Sequence, residues 1–160
     1  MSRAVLFSVR PEHCKRIASG EKGIELRKRV PKLPTPYKGY LYCTLQQRRK
    51  DAFNLPISRE EMLRDIPING MKCMSKYANG KVWAEFVCDW TEQYFTCDWG
   101  RAATAACVSM DDIYKYLDGQ ANINGLHISA LKIYDRPRGL AEFGLARPPQ
   151  SWCYVEEVLP

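Results

Sequence analysis

The chain has 160 residues, 46% of them hydrophobic, which is enough for one compact domain with a real core and too little for two ordinary ones. A formal net charge of +6 points to an anionic partner, and the charge is unevenly placed: residues 1–50 hold 13 Lys/Arg against 3 Asp/Glu. No apolar run approaches the roughly 18 residues of a membrane-spanning helix and the N-terminus has no signal-peptide apolar segment, so a cytoplasmic protein without a membrane role is expected.

Seven cysteines without a C-x-x-C pair, beside only two histidines, argue against a zinc site. Reduced thiols are expected, with Cys43 and Cys88 as small core hydrophobes. Neither a metal nor a cofactor is called for.

Along the chain, residues 4–10 alternate as a strand, with Val5, Phe7 and Val9 on one side and Leu6, Ser8 and Arg10 on the other. A short helix follows from Pro11 to Ser19, with Pro at its first position, Glu12 in its first turn, Lys15 and Arg16 in its last, and Gly20 as the left-handed residue that stops it. In the next strand Ile24 and Leu26 alternate with Glu25 and Arg27, so the carboxylate and the guanidinium share a face about 7 Å apart along the strand. Lys22 precedes them at the turn. Pro31 to Pro36 makes an extended connector, and Gly39 to Leu45 a third strand.

Residues 46–80 read as an insertion or long loop, opening with the basic run Gln46 to Asp51 and holding a short helix capped at Ser58. Asn79-Gly80 turns the chain into a strand from Lys81 to Asp89. Trp90 to Val108 shows no clean period, leaving strand, turn and loop open. Ser109 caps a helix whose Met110, Ile113 and Leu117 keep helical spacing and which Gly119 ends. Leu126 to Asp135 alternates as one strand, broken at Arg136-Pro137. Leu140 to Phe143 allows one helical turn, and Ser151 to Glu156 a last strand. Non-local strands with a few helices between them describe an α+β domain.

Gly20, Lys22, Glu25 and Arg27 stand in the G-x-K-x-x-E-x-R spacing of the ASCH domain, which the chain resembles. The opening Ala4 to Pro11, His127 to Tyr134 and the closing Pro148 to Tyr154 also resemble phage-type members of that family, so the likeness covers most of residues 1–160 as a single ASCH/PUA-like domain. It implies a PUA-like small mixed β-barrel with two or three inserted helices. It also implies an RNA-associated role, with the Lys, Glu and Arg lining a central cleft. A branch of the family resembling N4-acetylcytidine amidohydrolases works with a Lys, a Thr and a Glu. Lys22 matches that Lys, Glu25 stands where the Thr would be, and the catalytic Glu has no identifiable counterpart.

Two readings of the charged strand stay open: a partly exposed ion pair, or a basic cleft in which Lys22 and Arg27 take phosphate or a base edge while Glu25 accepts from an exocyclic amine. Ser8 and Arg10 border the same corner. His127 and Ser129 share a strand face, as do Trp152 and Tyr154, which when exposed make a stacking platform for bases. The expected partner is RNA or another single-stranded nucleic acid, or a nucleoside. If the protein is an enzyme, a hydrolase of acylated cytidine or a ribonuclease, Lys22 and Glu25 are its catalytic candidates.

Overall fold

The structure is a computed structural model that describes residues 2–44, 66–68, 71–73 and 78–159. Strand β1 (Arg3–Val9) leads through helix α1 (Pro11–Ala18) to β2 (Ile24–Arg27) and β3 (Tyr37–Cys43). A hairpin of β4 (Ile66–Ile68) and β5 (Met71–Cys73) follows, then β6 (Val82–Cys88) and β7 (Thr91–Phe95). Helices α2 (Trp99–Ala106) and α3 (Met110–Leu117) precede β8 (Asn122–His127), β9 (Ser129–Arg138) and β10 (Trp152–Glu156).

The strands form a five-stranded sheet in the order β10-β1-β3-β6-β9 and a three-stranded sheet in the order β2-β8-β7. This is the mixed α+β architecture expected, but among the described residues the sheets do not close into a barrel. β1 and β3 run parallel, so the chain between them must cross over, and α1 with β2 is that crossover. β1 is buried on both faces. Val5, Phe7 and Val9 enter a core with Cys14, Ile17, Trp83 and Phe86, while Ala4 and Leu6 enter another with Tyr40, Tyr42 and Phe143.

The three-stranded sheet is the middle layer. Ile24 and Leu26 of β2 pack with Ile123, Trp99, Ala102, Ala106 and Ile113 against α2 and α3. Leu126, paired with Glu25, turns the other way into the core beneath the five-stranded sheet. Glu25 and Arg27 are thereby directed into the seam between the two sheets, close to α1.

The expected single strand from Leu126 to Asp135 is two strands in different sheets. The chain turns a corner between His127 and Ala130, where Ala130 takes φ 47°. Pro137 does not end β9, because β9 is a sheet edge where a missing N–H leaves no ladder bond unmade. The unperiodic stretch Trp90 to Val108 is a strand, a 3-10 turn and α2, whose Trp99, Ala102, Ala103 and Ala106 are all buried at helical spacing. The cap of α3 is as expected, with Ser109 Oγ accepting from Asp112 N and Asp112 accepting from Ser109 N. Met110, however, is exposed rather than part of its apolar face. The basic run Gln46 to Asp51 and the helix expected from Ser58 lie outside the described residues.

Candidate functional site

Helix α1 ends on Gly20 at φ 83°, a conformation that costs a residue without Cβ nothing. Lys22 N donates to the Arg16 carbonyl at 3.0 Å, so the corner into β2 is pinned to the helix it leaves. Lys22 is then only 3% exposed, and Glu25 and Arg27 are each 7% exposed. The partly exposed ion pair is therefore replaced by a buried triad.

Glu25 is the centre of the triad. Its Oε1 lies 2.9 Å from Arg27 Nη2 and its Oε2 3.4 Å from Lys22 Nζ. Burial favours the neutral acid, but the fields of Lys22 and Arg27 outweigh it and hold Glu25 below the usual carboxylate range. The two cations are anchored by backbone oxygens. Lys22 Nζ donates to the Ala106 carbonyl at 2.9 Å, at the C-terminal end of α2 where the helix dipole favours positive charge. Arg27 Nη2 donates to the Ser8 carbonyl at 2.8 Å, and Nη1 to Ser151 Oγ at 3.0 Å and the Ser151 carbonyl at 3.3 Å. Its guanidinium also lies over the Phe7 ring, 5.8 Å from the centroid.

Neither cation is therefore a free surface charge waiting for phosphate. Glu25 Oε2 is held by the Lys22 ammonium, whereas among the described residues Arg27 Nε donates no hydrogen bond. A buried donor beside an ion-paired carboxylate suits a ligand edge that carries an acceptor.

Of the other expected residues, Ser8 joins the site through its backbone, while its hydroxyl donates to the Pro149 carbonyl at 2.6 Å. Arg10 is exposed and extended at the start of α1. Trp152 and Tyr154 meet edge to face with centroids 5.4 Å apart, and both are tied to the segment just after β2. Trp152 Nε1 donates to the Arg29 carbonyl at 3.0 Å and Tyr154 Oη accepts from Lys32 N at 2.8 Å.

His127 and Ser129 do not reach the triad as a strand face. His127 ends β8 opposite Ile24, which puts it on the other side of the sheet from Glu25, and Ser129 begins β9. His127 Nδ1 pairs with Asp89 Oδ1 at 2.5 Å and holds that carboxyl below its usual range, while Ser129 Oγ donates to the Val87 carbonyl at 2.9 Å. The Trp90 ring stacks on His127 at 4.9 Å.

The sequence reading passed over His13, Asn124 and the Asp89–Trp90 pair. Asn124 Nδ2 donates to the Lys28 carbonyl at 3.1 Å and holds the end of β2 in place. His13 stands one turn before the buried Ile17 on α1, a spacing that marks the border of the helix's apolar face.

This α+β arrangement is the ASCH fold. The ASCH protein of Zymomonas mobilis superimposes with a TM-score of 0.66 over 96% of this chain and 88% of its own, at 18% sequence identity. Crystal structures of two of its point mutants give TM-scores of 0.65, with 96% of this chain and 91% and 89% of theirs covered, again at 18% identity. No protein-family profile matches the sequence, and no curated protein matches it.

Proposed function

We propose that the chain is an ASCH-type, PUA-like domain of the cytoplasm that binds single-stranded nucleic acid, RNA above all, with the Lys22–Glu25–Arg27 seam taking a base edge. The observation that carries this reading is a buried, doubly ion-paired Glu25 beside an Arg27 Nε that donates no hydrogen bond among the described residues. A ligand that offers an acceptor to Arg27 Nε recovers the cost of keeping that buried donor unpaired, about 1–3 kcal/mol.

Phosphate contacts then fall to the exposed cations that flank the triad in sequence, Arg10, Arg29 and Lys32. These belong to the basic first third of the chain. The edge-to-face Trp152–Tyr154 pair, tied to Arg29 and Lys32, supplies stacking surface next to them.

Hydrolysis of an acylated cytidine or of RNA has less support. Glu25 is held ionised by two cations, which weakens it as a base and denies it a proton to give. In that reading wild-type protein releases product from acylated cytidine or RNA, and Glu25→Gln, once verified to be folded, does not.

The test is fluorescence anisotropy with labelled 12-nucleotide single-stranded RNA, its DNA counterpart and an RNA hairpin, titrated across salt. Log affinity falls linearly with log salt, and Arg29→Ala or Lys32→Ala lowers the slope by roughly 0.7 for each phosphate no longer neutralised. Absence of binding to all three probes at low salt overturns the proposal.

A further inference from the structure

Strand β7 is the outer strand of the three-stranded sheet, paired with β8 on one side only. Its register continues one step before the strand, where His127 N donates to the Trp90 carbonyl at 3.1 Å. In the alternation of an antiparallel ladder, Glu92 and Tyr94 then also exchange their bonds with β8. Thr91, Gln93 and Phe95 therefore point their N–H and C=O groups away from the sheet, and no hydrogen bond from the described residues meets them. All three residues are exposed, Phe95 by 51%.

The other edges of the two larger sheets are guarded. β9 carries Lys132, Arg136, Pro137 and Arg138, and β2 is only four residues long. β10 is crossed by the segment after β2, where Trp152 Nε1 donates to the Arg29 carbonyl and Tyr154 Oη accepts from Lys32 N. β7 has no Lys, Arg or Pro and no bulge against β8. We propose that the outer edge of β7 is a dimer interface, where a second copy of this chain adds its own β7 antiparallel about a two-fold axis at Gln93. The two three-stranded sheets then join into one of six strands.

The sequence of β7 fits a second copy because it is complementary to itself about its middle residue. With the axis at Gln93, Thr91 lies opposite the partner's Phe95 and Gln93 opposite the partner's Gln93. Outward groups meet outward groups along the whole strand, for roughly six backbone hydrogen bonds. A ring beside a β-branched side chain, and an amide beside an amide, are pairs that stabilise such a ladder. The single charged residue, Glu92, falls opposite the partner's Tyr94. An axis at Glu92 would oppose two carboxylates, and one at Tyr94 would run Thr91 past the end of the partner strand.

This inference is independent of the nucleic-acid reading and is tested without nucleic acid. Sedimentation equilibrium is run up to about 0.5 mM protein on wild type, Gln93→Pro, Gln93→Lys and Gln93→Glu, after a thermal melt has verified folding. Proline removes an N–H that faces outward and leaves the ladder to β8 whole. Lysine or glutamate keeps the N–H and sets two like charges opposite each other at the axis. Wild type is expected to approach twice the mass of one chain as concentration rises, and each variant to dimerise roughly tenfold more weakly or worse. An equimolar mixture of Gln93→Lys and Gln93→Glu regains the dimer, because opposite charges then meet at the axis.

Wild type that stays monomeric throughout overturns the proposal, whether the edge is then free or taken by an extended peptide of another protein. A wild-type dimer that the variants form equally well also overturns it, since the interface then lies elsewhere. If Gln93→Pro does not fold, the two charged variants decide: weakening of each alone with recovery in the mixture supports the axis at Gln93, and a mixture no tighter than either alone overturns it.

Discussion

Glu25 and Arg27, two positions apart on β2, meet carboxylate to guanidinium at 2.9 Å in a seam between two sheets, each only 7% exposed. Strand geometry alone puts residues at this spacing on one face about 7 Å apart along the chain, and the length of the arginine closes the gap. The pair is solvated by protein: Ser8 and Ser151 oxygens take the arginine's Nη donors, and Lys22 takes the carboxylate's other side. Removing the carboxylate charge leaves two buried cations facing each other, so Glu25→Gln is expected to destabilise the fold by about 3–5 kcal/mol, measured by urea unfolding at pH 7. A loss below about 1 kcal/mol would mean that water reaches the seam freely.

The same groups set the pH dependence of stability. Glu25 titrates lower in the folded chain than its usual value, so its contribution is present above about pH 4.3 and is lost as pH falls through the folded pKa. His13 is also lowered, so its neutral form contributes stability that is full above about pH 6.5 and is lost as pH falls through its folded pKa. Both act in one direction. Chemical denaturation from pH 8 to pH 4 is expected to show stability declining below about pH 6.5, and His13→Gln to flatten the first part of the decline.

Much of this was readable in the letters, and the gaps have physical causes. The alternation of Ile24 to Arg27, the Ser109 cap and the Gly20 stop are local, and each is present as expected. The burial of Lys22, Glu25 and Arg27 was not readable. Such residues are rarely buried, and the carbonyls that make it tolerable lie on Ala106 and Ser151, 84 and 124 positions away. The corner at Ala130 was hidden because alternation continues across it while the two halves join different sheets, and alanine carries no turn signal. Helix α2 was written in its Trp99, Ala102, Ala103 and Ala106 spacing, but small residues made a faint stripe.

Ala130 holds φ 47°, where an L-residue with a Cβ is strained. Ala130→Gly relieves that strain and gives back part of the gain in unfolded-chain entropy. The net expectation is a stabilisation of about 0.5–1 kcal/mol, read as a higher urea midpoint at constant m-value. An unchanged or lower midpoint would show that the corner is not strained.

Gly39 has a different reason to be glycine. A Cβ there would lie 2.3 Å from the Phe86 ring, and Phe86 is 2% exposed with no room to retreat. Gly39→Ala is expected to cost about 1–3 kcal/mol in thermal or urea unfolding, from overpacking between β3 and β6. A neutral outcome would mean that this part of the core is looser than its burial indicates.

The Arg27 Nε–H resonance of 15N-labelled protein, followed while short single-stranded RNA is added, tests the central claim most directly. The account predicts that it shifts as RNA saturates the protein, and that an abasic oligomer of the same length leaves it in place. RNA that binds and moves the backbone signals of Arg10, Arg29 and Lys32 while Arg27 Nε–H stays fixed would contradict it, leaving the triad a structural brace beside a surface that holds only phosphate.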